Sequence, residues 1–236
     1  MESLKGKVVL VTGASRGIGL AIAQSVGRGG ANLVLVGRDR KKLCAAADKV
    51  AGNPFPIVAD VTSPGEVRKL FQVLRRRHRH LDVLINNAGV FTYKPFARTT
   101  LRDWRANLET NLTALFLVTR AALPLLERSR AAHIVNILSV SSRSAFANCS
   151  AYCAAKFGAL GFTRVLREEF RPRGIRVTAI LPGSTDTRMV KAFDFPVDRT
   201  KLIKPDDIAE AVLAALLQPP RTTVEEVHLM PSAGRL

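Results

Sequence analysis

The sequence predicts an α/β fold built on a doubly wound parallel sheet, and three observations predict it. Short apolar runs alternate with segments of helical period along the whole chain. Several of those runs are rich in Val and Ile, as strands covered on both faces tend to be. A glycine-rich turn lies between the first apolar run and the first helical segment. Alternation of this kind joins parallel strands by right-handed crossovers.

In order, the apolar runs are 8–11, 33–36, 56–59, 83–85, 134–138, 177–181 and 227–230. The helical segments between them include 18–27, 41–50, 66–77, 115–127, 154–170 and 207–217. Ser63-Pro64 followed by Glu66 reads as a helix start, with Ser63 as N-cap and Pro64 in the first turn. Pro205-Asp206-Asp207 reads similarly. There is no linker, repeat or low-complexity segment, so residues 1–236 read as one domain.

With 47% hydrophobic residues in 236, the chain can bury a sizeable core. No apolar run reaches the roughly 18 residues of a membrane span. The opening MESLKGK lacks the apolar stretch of a secretory signal, which points to a cytoplasmic protein. Cys149 and Cys153 are spaced C-x3-C, with no second pair or His partner, so no metal site is expected. With Cys44 they read as small buried side chains in a reducing compartment.

The formal charge is +17, from 36 Lys and Arg against 19 Asp and Glu. The densest run, Arg75-Arg76-Arg77-His78-Arg79-His80, has no interleaved aromatics for base stacking. It reads as the solvated end of a helix, and the other cations are dispersed, so no specific nucleic-acid site is expected.

The stretch 136–156 carries Ser139, Tyr152 and Lys156. Tyr152 and Lys156 are four apart in an Ala-rich run, which puts both on one helix face. A free tyrosine has a pKa of about 10. A neighbouring ammonium favours the phenolate and is expected to lower that value, making Tyr152 a proton donor and acceptor near neutrality. The same spacing also fits a plain amphipathic pair.

The turn Thr12-Gly13-Ala14-Ser15-Arg16-Gly17-Ile18-Gly19 opens the first predicted helix. Three glycines there allow a tight turn and close approach of backbone to a pyrophosphate. The helix N-terminus then offers N–H groups and a positive dipole end to the anion.

T-G-x3-G-x-G at 12–19, Asn86-Asn87-Ala88-Gly89, Asn111, Ser139 and Tyr152-x3-Lys156 together resemble the short-chain dehydrogenase/reductases, in their single-domain branch. The resemblance covers essentially the whole chain. It implies a Rossmann fold with seven parallel strands, a nicotinamide cofactor and hydride transfer to or from a carbonyl or alcohol carbon. It implies that Tyr152 gives its proton to the carbonyl oxygen, that Ser139 holds that oxygen, and that Lys156 lowers the tyrosine pKa and binds the nicotinamide ribose. Asn111 is implied to position a water linking Lys156 to solvent; a helix-kink residue bonded to backbone is compatible with that role.

For the cofactor, the resemblance implies contacts from Gly13, Ser15, Arg16, Gly17, Ile18 and Gly19 in the turn. Asn87, Ala88 and Gly89 would line the adenosine and ribose side. Asp60, with Val61 beside it, would reach the adenine; Asp60 reads equally as a turn or N-cap aspartate. Pro182, Gly183, Thr185 and Thr187 resemble the loop that fixes the nicotinamide carboxamide. The chain departs from the family in having Leu138 before Ser139, and in ending without Gly-Gly over 230–236.

Cofactor choice follows from charge. NAD recognition needs a carboxylate at the end of the second strand, which a 2′-phosphate would be repelled by. Here Gly37 stands in that place, Arg38 follows, and Arg16 faces the same site, so NADP(H) is expected. Asp39 comes one position late and is expected to point to solvent.

NADP(H) implies a carbonyl reductase. Phe91, Tyr93, Phe96, Phe146, Met189, Val190, Phe193 and Phe195 would either cover an apolar substrate or anchor loops. The chain also resembles 3-oxoacyl-thioester reductases, in which Arg128, Arg130, Arg171 and Arg173 would meet an acidic carrier near the site mouth. A nucleotide sensor without turnover, or a basic nucleic-acid-binding protein on this scaffold, are the alternatives. The family resemblance further implies a homotetramer or dimer through 115–127 and 154–170.

Overall fold

The structure, a computed structural model, describes residues 3–234. Readings that touch Met1, Glu2, Arg235 and Leu236 lie outside the described residues. Seven strands form one parallel sheet in the order β3-β2-β1-β4-β5-β6-β7. They are β1 (Val8–Thr12), β2 (Asn32–Gly37), β3 (Phe55–Val58), β4 (Val83–Asn86), β5 (His133–Ile137), β6 (Arg176–Pro182) and β7 (Glu226–Leu229). Each lies within one residue of an expected apolar run at its start.

The helices are α1 (Gly17–Arg28), α2 (Arg40–Ala47), α3 (Pro64–Arg77), α4 (Leu101–Leu108), α5 (Ala114–Leu126), α6 (Ser150–Phe170) and α7 (Pro205–Leu216). They cover both faces of the sheet, and the period of two along β1 shows how. Val9 and Val11 pack with Ile22 and Val26 of α1 and Ile208 and Val212 of α7. Val8 and Leu10 pack with Leu70 and Phe71 of α3 and Val118 and Leu125 of α5. Successive side chains of a strand point to opposite faces, so a strand apolar throughout must be covered twice.

Helix starts follow local chemistry. The Ser63 side chain accepts from Glu66 N, with Pro64 at the first helical position. At α7, Pro205 opens the helix and Asp207 accepts from Lys204 N at 2.8 Å. Two elements differ from expectation. Helix α6 begins at Ser150, so Tyr152 sits in its first turn. Helix α4 is new: it is polar and mostly exposed, its buried residue is Asn107, and a Thr100–Asp103 capping box starts it. A π-helical turn, Glu109–Thr113, joins α4 to α5.

Arg75, Arg76 and Arg77 do form the exposed last turn of α3. Cys149 and Cys153 are buried and free, but Cys44 is exposed, which corrects its reading as a buried side chain. Among the described residues no helix is long and apolar enough to cross a membrane.

Candidate active site

Strand order reverses between β1 and β4, so the loops leaving their C-terminal ends part and open a crevice. The two loops at this point are interlocked. Thr12 Oγ1 accepts from Asn87 N at 2.9 Å and Ala88 N at 3.1 Å. Asn87 Nδ2 donates back to Thr12 O at 2.9 Å and Gly13 O at 3.2 Å. Only glycine allows this approach: a Cβ at Gly13 would stand 2.9 Å from Ala88 Cα, and one at Gly19 would stand 2.5 Å from Gly13 O.

Helix α1 starts at Gly17 with no side-chain cap and no acid in its first turn. Its first N–H groups and positive dipole end are therefore offered to an anion, as a cofactor phosphate requires. Ser15 and Ile18 are half-buried in this turn, and Arg16 is exposed. The loop after β6 reaches back over it, with Thr187 Cγ2 3.4 Å from where a Gly17 Cβ would lie. That loop is braced by Thr185 Oγ1 donating to Gly183 O at 2.9 Å, and by Gly183 N donating to Leu229 O at 2.7 Å, just beyond Pro182.

At the end of β2, Gly37 is buried near Ser15, and Arg38 is exposed beside it. Asp39 caps α2, accepting from Lys42 N at 3.0 Å, and pairs with the Lys42 ammonium in solvent. Asp60 Oδ1 accepts from Thr62 N at 2.9 Å and Thr62 Oγ1 at 2.7 Å. Burial pushes its pKa up, but those bonds and the Arg38 charge outweigh it and hold the carboxyl below its usual range. Its side chain thus makes a turn; the helix N-cap is Ser63. Val61 is buried behind it.

The reactive end forms where β5 stops and α6 begins. Tyr152 and Lys156 are both buried, one helical turn apart. Ser139 is close enough to Tyr152 to pull its pKa down, and its Oγ accepts from Ser141 N at 3.1 Å. Lys156 Nζ donates to Ile137 O at 3.2 Å and lies 5.7 Å from the Tyr152 ring centre. Asn111 occupies the π turn, where its Nδ2 donates to Val90 O at 2.9 Å and its Oδ1 accepts from Val90 N at 3.1 Å. It is thus a backbone-bonded residue at a helical irregularity. Asn111 and Lys156 share a cavity of about 10 Å³ with Thr12, Ala88 and Val61, close to the size of one water. Gly89 abuts Asn111, where a Cβ would stand 3.0 Å from Oδ1.

The sign of the tyrosine shift differs from expectation. Burial pushes the Tyr152 phenol up to about 12, against a smaller downward pull from Ser139. Burial also pushes Lys156 down to about 8. Desolvation disfavours both charged forms, and the lysine does not overcome it.

Aromatic rings wall this end. Phe91 meets Tyr152 edge to face, with centroids 4.8 Å apart. Phe193 lies 5.4 Å from Phe91 and 5.1 Å from Tyr93, and Phe195 lies 5.1 Å from Phe193. Phe146, Cys149 and Cys153 pack with Tyr152. Phe96 is 81% exposed and takes no part in the wall. Arg128, Arg130, Arg171 and Arg173 follow the C-terminal ends of α5 and α6, which lead into the starts of β5 and β6. Within the chain they sit at the end of the sheet where the strands begin, opposite the site and not at its mouth. Arg171 pairs with Glu225, and Arg173 with Glu127. Sequence reading missed Asn107, Thr92 and Asn148 around the wall; the four-residue spacing of Asn107 and Asn111 was the one available signal.

An interlocked glycine turn under a Ser–Tyr–Lys group, at the switch point of a parallel sheet, is the architecture of a nucleotide-dependent dehydrogenase. The family model for short chain dehydrogenases matches residues 7–195, and the chain belongs to that family. An uncharacterized oxidoreductase of Staphylococcus aureus (strain USA300) is 35% identical over 232 residues, 98% of this chain and 100% of that one. A metagenomic short-chain oxidoreductase, solved in complex with NADP, is 34% identical with a TM-score of 0.86, covering 98% of this chain and 99% of that one. An alcohol dehydrogenase of the archaeon Thermococcus sibiricus, complexed with 5-hydroxy-NADP, is 28% identical with a TM-score of 0.89, covering 98% and 99%.

Proposed function

We propose that this chain reduces an apolar ketone, or a related carbonyl such as a 3-oxoacyl thioester, to the alcohol with NADPH. The observation that carries the reading is the buried Ser139–Tyr152–Lys156 group beside a glycine turn open to a phosphate. Support for NADP(H) comes from Arg16 and Arg38 with Gly37 at the end of β2, and from the neighbours solved with NADP and 5-hydroxy-NADP. Bound there, the nicotinamide nucleotide supplies hydride to the carbonyl carbon.

The chain's own residues do the rest. Ser139 holds the carbonyl oxygen by a hydrogen bond. Tyr152, kept as the neutral phenol by burial, gives that oxygen its proton. Lys156 carries positive charge beside it and returns a proton through the cavity it shares with Asn111. The Phe91, Tyr93 and Phe193 rings offer an apolar wall, which favours flat apolar substrates over charged ones. In this reading the whole chain acts as one domain in the cytoplasm. It assembles as a homotetramer or dimer through α5 and α6, whose outward faces expose Phe116, Phe157 and Val165.

The test is NADPH oxidation on an aromatic diketone and on an acetoacetyl thioester, with NADH and Tyr152→Phe run alongside. Turnover should fall by about 100-fold or more in the variant, the usual contribution of a general acid, with NADPH binding retained. Turnover undiminished in Tyr152→Phe would remove the assigned proton donor. Tight NADPH binding without turnover on a broad carbonyl panel would favour the sensor. Retention on DNA that vanished at modest salt would mark the charge as nonspecific.

A further inference from the structure

Residues 90–94 run as a strap past the reactive tyrosine, and their polar groups are tied away from it. Val90 is gripped at both backbone groups by the Asn111 amide. Thr92 Oγ1 accepts from Asn107 Nδ2 at 2.8 Å. The Tyr93 hydroxyl accepts from Asn148 Nδ2 at 3.0 Å, and Lys94 N donates to Asn148 O at 2.7 Å. Phe91 stands between the two gripped residues, and its ring is the one against Tyr152.

Asn107 has no exposed surface, and the orientation of its amide is fixed by its partners. Nδ2 also donates to the Asp103 carbonyl at 2.9 Å, so Oδ1 must face Asn111, whose Nδ2 lies 3.4 Å away. One buried side chain therefore links the middle of the strap to the residue gripping its near end.

We propose that Asn107 is a positioning residue: through Thr92 and Asn111 it holds the strap so that Phe91 closes on Tyr152 and forms the rigid wall that selects flat apolar carbonyls. This rests on the reading of Tyr152 as proton donor. The wall matters twice. It covers the phenol from water, and it gives a planar substrate one surface to lie on. A loose strap would keep the catalytic groups but lose the surface.

The test uses the isosteric Thr92→Val, which removes the acceptor without opening a cavity, and Thr92→Ser, which keeps it. Asn107→Ala is a second probe of the same link if it folds. Thr92→Val should raise KM for an aromatic diketone by about tenfold, the scale of one lost hydrogen bond, with kcat within about twofold. KM for a small aliphatic diketone and the NADPH Kd should stay near wild type, and Thr92→Ser should restore the wild-type ratio. Amide hydrogen exchange over 90–94 should quicken in Thr92→Val and not in Thr92→Ser. Equal KM changes for both diketones, or unchanged exchange in Thr92→Val, would overturn the proposal. If the wild type reduced no carbonyl, the assigned function would fall, and the exchange result alone would decide whether Asn107 holds the strap.

Discussion

Tyr152 and Lys156 show how far burial can oppose a neighbouring charge. The phenol is pushed up and the ammonium down, so at neutral pH the pair holds a proton on each group. That is the form a reductase needs, since the carbonyl oxygen must receive a proton. The limiting titration is then Lys156, at about 8. Reductive kcat/KM should be level below that value and fall toward tenfold per pH unit above it. Lys156→Arg keeps its charge at every accessible pH, so the break should move upward even though the rate drops. A break that stayed at the same pH in Lys156→Arg would assign it to another group. The pairing itself was legible from four-residue spacing on a helix. The sign was not, because the burial comes from Phe91, Cys149 and Cys153, which the fold gathers around the ring.

At the level of elements, the strands were readable because a strand covered on both faces is apolar at every position. Helix α4 was not, since its few large apolar residues, Leu101, Trp104 and Leu108, are outnumbered by polar ones, Leu101 and Trp104 stay exposed, and Asn107 is its buried residue. The cofactor turn was readable in its glycines, yet its interlock with the β4 loop through Thr12 and Asn87 needs the sheet to bring β1 and β4 together. At the end of β2 the choice between nucleotides reduces to charge. Arg38 is exposed, lies near the Asp60 carboxylate and is free of any acid at position 37. In Arg38→Asp the NADPH Kd should rise by about 10- to 100-fold, as loss of one charge-assisted phosphate contact implies, while NADH binding holds or improves. Unchanged NADPH affinity in that variant would refute the 2′-phosphate assignment.

Across the whole molecule, part of the arginine excess is structural. Arg164 of α6 and Arg143 ahead of it both pair with Glu226, and Arg167 donates to the Glu225 backbone at 2.7 Å, so α6 and the turn before it pin the edge strand β7. Composition alone leaves the origin of such charge open, because the pairs span more than 50 residues. A buried base on the other face of the sheet, the one covered by α1 and α7, makes stability depend on pH. The Thr178 hydroxyl donates to Val224 O at 2.6 Å, so His133 Nε2, 2.8 Å from Thr178 Oγ1, must be the donor in that contact. Nδ1 is then unprotonated, buried and without a hydrogen-bond partner among the described residues. Burial, with the Arg176 charge beside it, pushes the His133 pKa from 6.5 down to about 3. Between those values the unfolded chain takes up a proton that the folded protein refuses. Folding stability should therefore fall as pH drops below 6.5, by roughly 2 kcal/mol between pH 6.5 and 4.5. The half-exposed His78, also shifted down, adds a smaller slope of the same sign. Urea unfolding at several pH values should show this loss in the wild type and a much flatter profile in His133→Gln, whatever that variant's stability at pH 7. Parallel profiles in the two proteins would mean that His133 is not the group responsible.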